Sequence, residues 1–65
     1  MVKMEIGEVL QYYRKKAKMT QAEMASICGL SKNYISAVER GVNKVNSSSL
    51  LIMMKTLDIP LESFF

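Results

Sequence analysis

Three observations on this sequence predict an all-α fold of five short helices in one domain. Apolar residues recur with helical period near the N-terminus, a Gly-containing corner joins two short capped patterns in the middle, and no segment alternates apolar and polar residues as a strand would. The 65 residues form a single unit, 1–65. A domain of that size buries only roughly 60% of its unfolded surface, so its stability is expected to be modest unless a partner covers more.

The first helix is expected over Glu5 to Lys18, where Ile6, Val9, Leu10, Tyr13 and Ala17 make an apolar stripe with Glu8, Gln11, Arg14 and Lys15 opposite. Its basic end, RKKAK, suits the negative end of a helix dipole, an effect of about 0.3–1 kcal/mol per charge. The second helix opens at Thr20, with Glu23 three residues on, which is a capping box. Gly29 ends it by adopting positive φ, and Leu30 plugs the corner. Ser31 caps the third helix, in which Ile35 and Val38 share one face while Lys32, Asn33, Ser36 and Arg40 point elsewhere. Residues 20–41 therefore read as a helix-turn-helix, with residues 31–40 as the helix that enters a DNA major groove.

Val42 to Ser49 is a short polar loop, and Asn46 or Ser47 caps the fourth helix. That helix, Leu50 to Leu57, is apolar on more than one face, so it is central to the core or meets another subunit, with Leu51 and Ile52 expected outward. Pro60 suits the first turn of a new helix, so Leu61 to Phe65 reads as a final helical turn, the fifth helical element. Phe64, three residues from Leu61, is expected to complete the core.

Charge is informative in its placement. Arg14 to Lys44 holds seven basic and two acidic residues, whereas the remainder holds two basic and four acidic, within a net charge of +3. That pattern fits either a polyanion-binding face or a solvated lysine-rich surface, and it gains weight from the helix pair. With one cysteine and no histidine, a disulfide framework and a Cys/His zinc site are both excluded, and Cys28 is expected to be a buried thiol in a reducing compartment. General acid–base and metal chemistry lack their groups, so no enzyme and no cofactor is expected. No signal peptide or membrane-length apolar run is present, and a cytoplasmic protein is expected, with neither a membrane nor a small-molecule substrate as partner.

With those residues in place, the sequence resembles the Cro/repressor or XRE group of helix-turn-helix domains, bacterial and phage transcription regulators. The resemblance rests on IGEVLQYYRK, on TQAEMA and CGLSKNYIS, on VERG and on LDIPLESFF, and so spans nearly the whole chain. YISAVERG followed by a short polar loop is also similar to the stand-alone controller proteins of restriction–modification systems. VNKVNSSS lacks the proline that many members carry near this point. The resemblance implies a compact five-helix lambda-repressor-like domain that binds double-stranded DNA as a homodimer.

It also implies site residues. Lys32, Asn33, Ser36 and Ala37 fall where the family reads bases. Asn pairs bidentately with adenine, Lys reaches guanine O6/N7, and an Ala methyl can touch a thymine methyl. For Lys32 a phosphate contact alone is the competing reading. Gln21 and Ser31 stand at helix starts, where free N–H groups face phosphate oxygens, and by resemblance Gln21 bonds a backbone phosphate unless it is simply an exposed helix former. The Tyr34 hydroxyl either reaches a phosphate or belongs to a ring packed on the first helix. Asn43 and Lys44 resemble loop residues that position the protein on the backbone, against the alternative of solvated polarity. Arg14 and Glu39 match a pair that often joins the first helix to the recognition helix as a structural ion pair.

Contact area argues for two copies: a single module buries only about 600–1,000 Å² on DNA, less than useful specific affinity normally requires. Twofold pairing predicts a palindromic operator with half-sites about 34–36 Å apart. Leu51, Ile52 and Phe65 are the expected contact residues. The rival reading is a protein-interaction module of the same fold, antitoxin-like or anti-regulator, without specific DNA binding.

Overall fold

Capping chemistry sets where three of the helices begin. Thr20 Oγ1 accepts the Glu23 N–H at 3.0 Å, Ser31 Oγ accepts the Tyr34 N–H at 3.0 Å, and Asn46 Oδ1 accepts the Ser49 N–H at 2.8 Å. Each bond satisfies one of the four N–H groups that a helix start leaves free. The computed structural model describes residues 5–64. It contains α1 (Ile6–Lys16), α2 (Gln21–Cys28), α3 (Lys32–Glu39) and α4 (Ser47–Leu57). A single 3-10 turn, Leu61–Phe64, replaces the expected fifth helix. The Ser63 N–H reaches back to the Pro60 carbonyl at 3.0 Å, the tighter i→i+3 pattern, and the Tyr13 hydroxyl lies 2.9 Å from Ser63 Oγ, pinning the turn to α1. No strand occurs among the described residues. Phe65 and the Phe64 side chain lie outside what is described, and so do the expectations placed on them.

Left-handed residues end the helices. Gly29, at φ 69°, closes α2 while the Leu30 N–H bonds the Ala25 carbonyl at 2.8 Å, a Schellman ending that turns the chain into α3. Asp58, at φ 54°, does the same for α4, with the Ile59 N–H on the Met54 carbonyl at 3.0 Å. α1 stops at Lys16 rather than Lys18, because Lys18 sits at φ 60° and the Met19 N–H bonds the Arg14 carbonyl.

Each helix supplies one fully buried side chain to a common centre: Leu10, Met24, Ile35 and Met53. Burying a side chain of this size stabilises by about 1.5–3 kcal/mol. Val9, Cys28, Val38, Leu57 and Ile59 complete the cluster, and Tyr13, Leu30, Tyr34 and Val45 pack on its edge.

The inward face of α1 departs from the hydropathy stripe. Val9 and Leu10 are buried, but Ile6 is exposed, Ala17 lies beyond the helix and is exposed, and Arg14 is buried. The centre of that face is Gly7, Leu10 and Arg14. A Cβ on Gly7 would overlap the Val38 carbonyl oxygen and lie 2.9 Å from that of Glu39, so a glycine is what lets α1 meet the end of α3.

Candidate nucleic-acid interface

α2 and α3 pack against each other, with their apolar sides, Met24, Ala25, Cys28, Ile35 and Val38, turned into the core. Their starts are left facing solvent. Thr20 and Ser31 each satisfy one backbone donor, which leaves the first N–H groups of both helices available to an acceptor oxygen. Two helix N-termini with partial positive charge suit phosphate.

On α3, Lys32 and Asn33 are exposed and Ser36 is half-buried. Ala37 is only 8% exposed, and its carbonyl accepts the N–H groups of Val42 and Asn43 at 3.0 and 3.3 Å. Its methyl has little surface left with which to meet a thymine. The accessible base-reading candidates are therefore Lys32, Asn33 and Ser36. Arg40, absent from the expected site, is exposed at the end of α3 and bends its Nε onto the Ser36 carbonyl at 3.3 Å.

Tyr34 is half-buried. Its ring packs on the core cluster, and its hydroxyl accepts the Asn46 N–H at 3.2 Å, which ties the recognition helix to the start of α4. The hydroxyl proton is left to donate. Asn43 and Lys44 are exposed in the loop after α3, where the bond from the Asn43 N–H to Ala37 holds the loop against that helix.

Arg14 and Glu39 form a bidentate ion pair: Arg14 Nε donates to Glu39 Oε2 at 2.6 Å and a terminal nitrogen to Oε1 at 3.1 Å. Arg14 also donates to the Met19 carbonyl at 2.8 Å, so one guanidinium joins α1, the turn before α2 and the end of α3. Gln21 enters the same network, with Nε2 donating to Glu39 Oε1 at 3.1 Å. Nothing in the hydropathy pattern marks that third partner; the available signal was the position of Gln21 at the first residue of a helix.

Because Arg14 and Glu39 cancel, the exposed charges from Lys15 to Lys44 are Lys15, Lys16, Lys18, Lys32, Arg40 and Lys44 against the single carboxylate of Glu23. Six cations against one anion make this stretch suited to a polyanion. On α4, Leu51 is 58% and Ile52 42% exposed, and Ile27 of α2 is 61% exposed. α2 and α4 are held together where the Cys28 thiol meets Thr56 Oγ1 at 3.6 Å. No helix among the described residues is long and apolar enough to cross a membrane.

Among solved structures, the chain superposes on a chain of the SinR protein/SinI protein complex with a TM-score of 0.79 and 27% identity, over 94% of this chain and 60% of that one. It superposes on SinR, described as the master regulator for biofilm formation, in complex with DNA with a TM-score of 0.78 and 28% identity, over 92% of this chain and 100% of that one. Among sequences, it is 35% identical over 57 residues to the control protein C.SmaI of Serratia marcescens, covering 88% of this chain and 68% of that protein. It is 34% identical over 61 residues to the HTH-type transcriptional regulator SlrR of Bacillus subtilis (strain 168), of which it spans 40%. Residues 10–64 match the helix-turn-helix family HTH_3. With that match, the two capped helices and the Gly29 corner between them, the chain belongs to the XRE-type helix-turn-helix family.

Proposed function

We propose that the protein is a sequence-specific double-stranded DNA-binding regulator of transcription that acts as a homodimer on a palindromic operator. The observation that carries this reading is the division of α3 into two sides. Ile35 and Val38 are buried, whereas Lys32 and Asn33 are exposed next to a capped helix start, with Ser36 half-exposed one turn on. Base edges are read by amide, ammonium and hydroxyl groups of this kind, and phosphates by helix starts and nearby cations. Lys32, Asn33 and Ser36 are assigned to base contact; Gln21, Ser31, Asn43, Lys44 and the free proton of the Tyr34 hydroxyl to the backbone. The likeness to the control protein C.SmaI and to SinR in complex with DNA supports the same reading.

Leu51 and Ile52 are assigned to the dimer contact. They are neighbouring large apolar side chains left exposed on a helix whose other side is core, and exposed apolar surface of this kind is typical of an interaction site. Selection of bound duplexes from a randomised pool, with the winners retested across a salt series, tests the reading. A twofold-symmetric motif with half-sites about 34–36 Å apart, bound more weakly as salt rises, is the expected result. A folded protein that selects no motif at moderate salt would replace it with a protein-interaction role.

A further inference from the structure

The geometry points to Glu39 as a positioning residue for DNA: with its charge cancelled by Arg14, it holds the Gln21 side chain so that one Nε2 hydrogen is presented outward to a phosphate. The inference rests on the DNA-binding reading above and adds to it a residue with no exposed surface to offer. The Glu39 side chain is 2% exposed, and Oε1 is shared between Arg14 and Gln21 at 3.1 Å each. A carboxylate only accepts hydrogen bonds, so the amide must turn its nitrogen, not its oxygen, toward Glu39. One of the two Nε2 hydrogens is consumed there. The other remains on a half-buried side chain at the first residue of α2, beside backbone N–H groups that have no partner within the helix.

The anchor acts in two ways. A glutamine free to rotate loses conformational freedom when it docks on a phosphate, whereas one already held loses little, so the anchor strengthens binding without touching DNA. An uncompensated carboxylate this close to a phosphate contact would repel it, and the bidentate guanidinium removes that charge. Arg14 and Glu39 thus act on DNA through Gln21, in addition to joining α1 to α3.

A double-mutant cycle separates this role from a merely structural one. The paired replacement Arg14→Met with Glu39→Met removes the anchor while leaving no unpaired buried charge, which keeps the fold accessible. It is combined with Gln21→Ala, and dissociation constants are measured on the duplex selected by the unaltered protein, well below each variant's melting temperature. The paired replacement is expected to weaken binding about 5- to 10-fold when Gln21 is present and less than about twofold in the Gln21→Ala background. Equal factors in both backgrounds, or no weakening at all, would overturn the inference while leaving the DNA-binding reading intact; failure of the unaltered protein to bind any duplex would remove both. Should the paired replacement not fold, NMR of the unaltered protein decides. One of the two Gln21 Nε2 protons should shift on adding DNA while the other keeps its position, and two protons that move together, or neither moving, would contradict the anchored geometry.

Discussion

Glu23 and Thr20 satisfy each other at the start of α2: the Thr20 N–H donates to Glu23 Oε1 at 2.9 Å while Thr20 Oγ1 accepts the Glu23 N–H. The backbone bond from Thr20, with the hydroxyl second, holds the Glu23 carboxyl below its ordinary value of 4.5. A carboxyl that ionises more readily when folded stabilises the protein above its unfolded value, and that contribution is lost as pH falls through the lowered folded value. The melting temperature of Glu23→Gln should therefore lie below that of the unaltered protein near neutral pH, and the gap should narrow as pH falls through the lowered folded value. A gap independent of pH would show that the capping carboxylate is not the titrating group. Residues of this kind were legible in the sequence because a cap needs only its own neighbours: Thr20, Gly29, Ser31 and Asn46 all announce themselves within three or four positions. Gln21, Arg14 and Glu39 have partners 18 and 25 residues away, and no local pattern encodes that distance. The pairing of Arg14 with Glu39 was available only through the family resemblance.

At the scale of elements, α1 shows why a hydropathy stripe misplaces a face. Its inner side contains a glycine with no side chain to count and an arginine counted as polar, and both are buried. The apolar stripe consequently draws in Ile6, which is 42% exposed, and overlooks Gly7. The Gly7→Ala substitution should test this packing, since alanine gains about 1 kcal/mol of helix propensity yet must force α1 away from the carbonyl oxygens ending α3. A net destabilisation of about 1–3 kcal/mol is expected in urea unfolding. A stabilised variant would mean that α1 and α3 do not approach as closely as described. The same contact places Arg14 against Glu39, so the variant should also weaken DNA binding. The 3-10 turn at Leu61–Phe64 reads from Pro60 as another helix because proline sets φ for either structure, and only the hydrogen-bond pattern separates the two.

For the whole molecule, a single core drawn from four helices leaves exposed polar residues at the starts of α2 and α3 and exposed apolar side chains on α4. Fold class and the helix pair were visible in the sequence because both come from periodicity and turn chemistry; the apolar surplus of α4 was visible too, since Met53 and Leu57 suffice for its inner side. The dimer contact proposed for that surplus would be a property of two chains, so neither periodicity nor capping addresses it. Changing Ile52→Glu should convert dimers to monomers in sedimentation and weaken operator binding by about 100-fold or more, because the second half-site is then no longer tethered to the first. An unchanged sedimentation mass would move the dimer contact elsewhere, with Ile27 another exposed apolar residue to test. The central claim, that exposed residues of α3 read base sequence, is tested most directly by repeating the duplex selection with Asn33→Ala. The expected motif keeps its symmetry and half-site spacing but loses preference at one base-pair position in each half-site, a discrimination of about 1–3 kcal/mol. An identical motif from both proteins would contradict the claim that Asn33 reads DNA, and no motif from either would contradict sequence-specific binding itself.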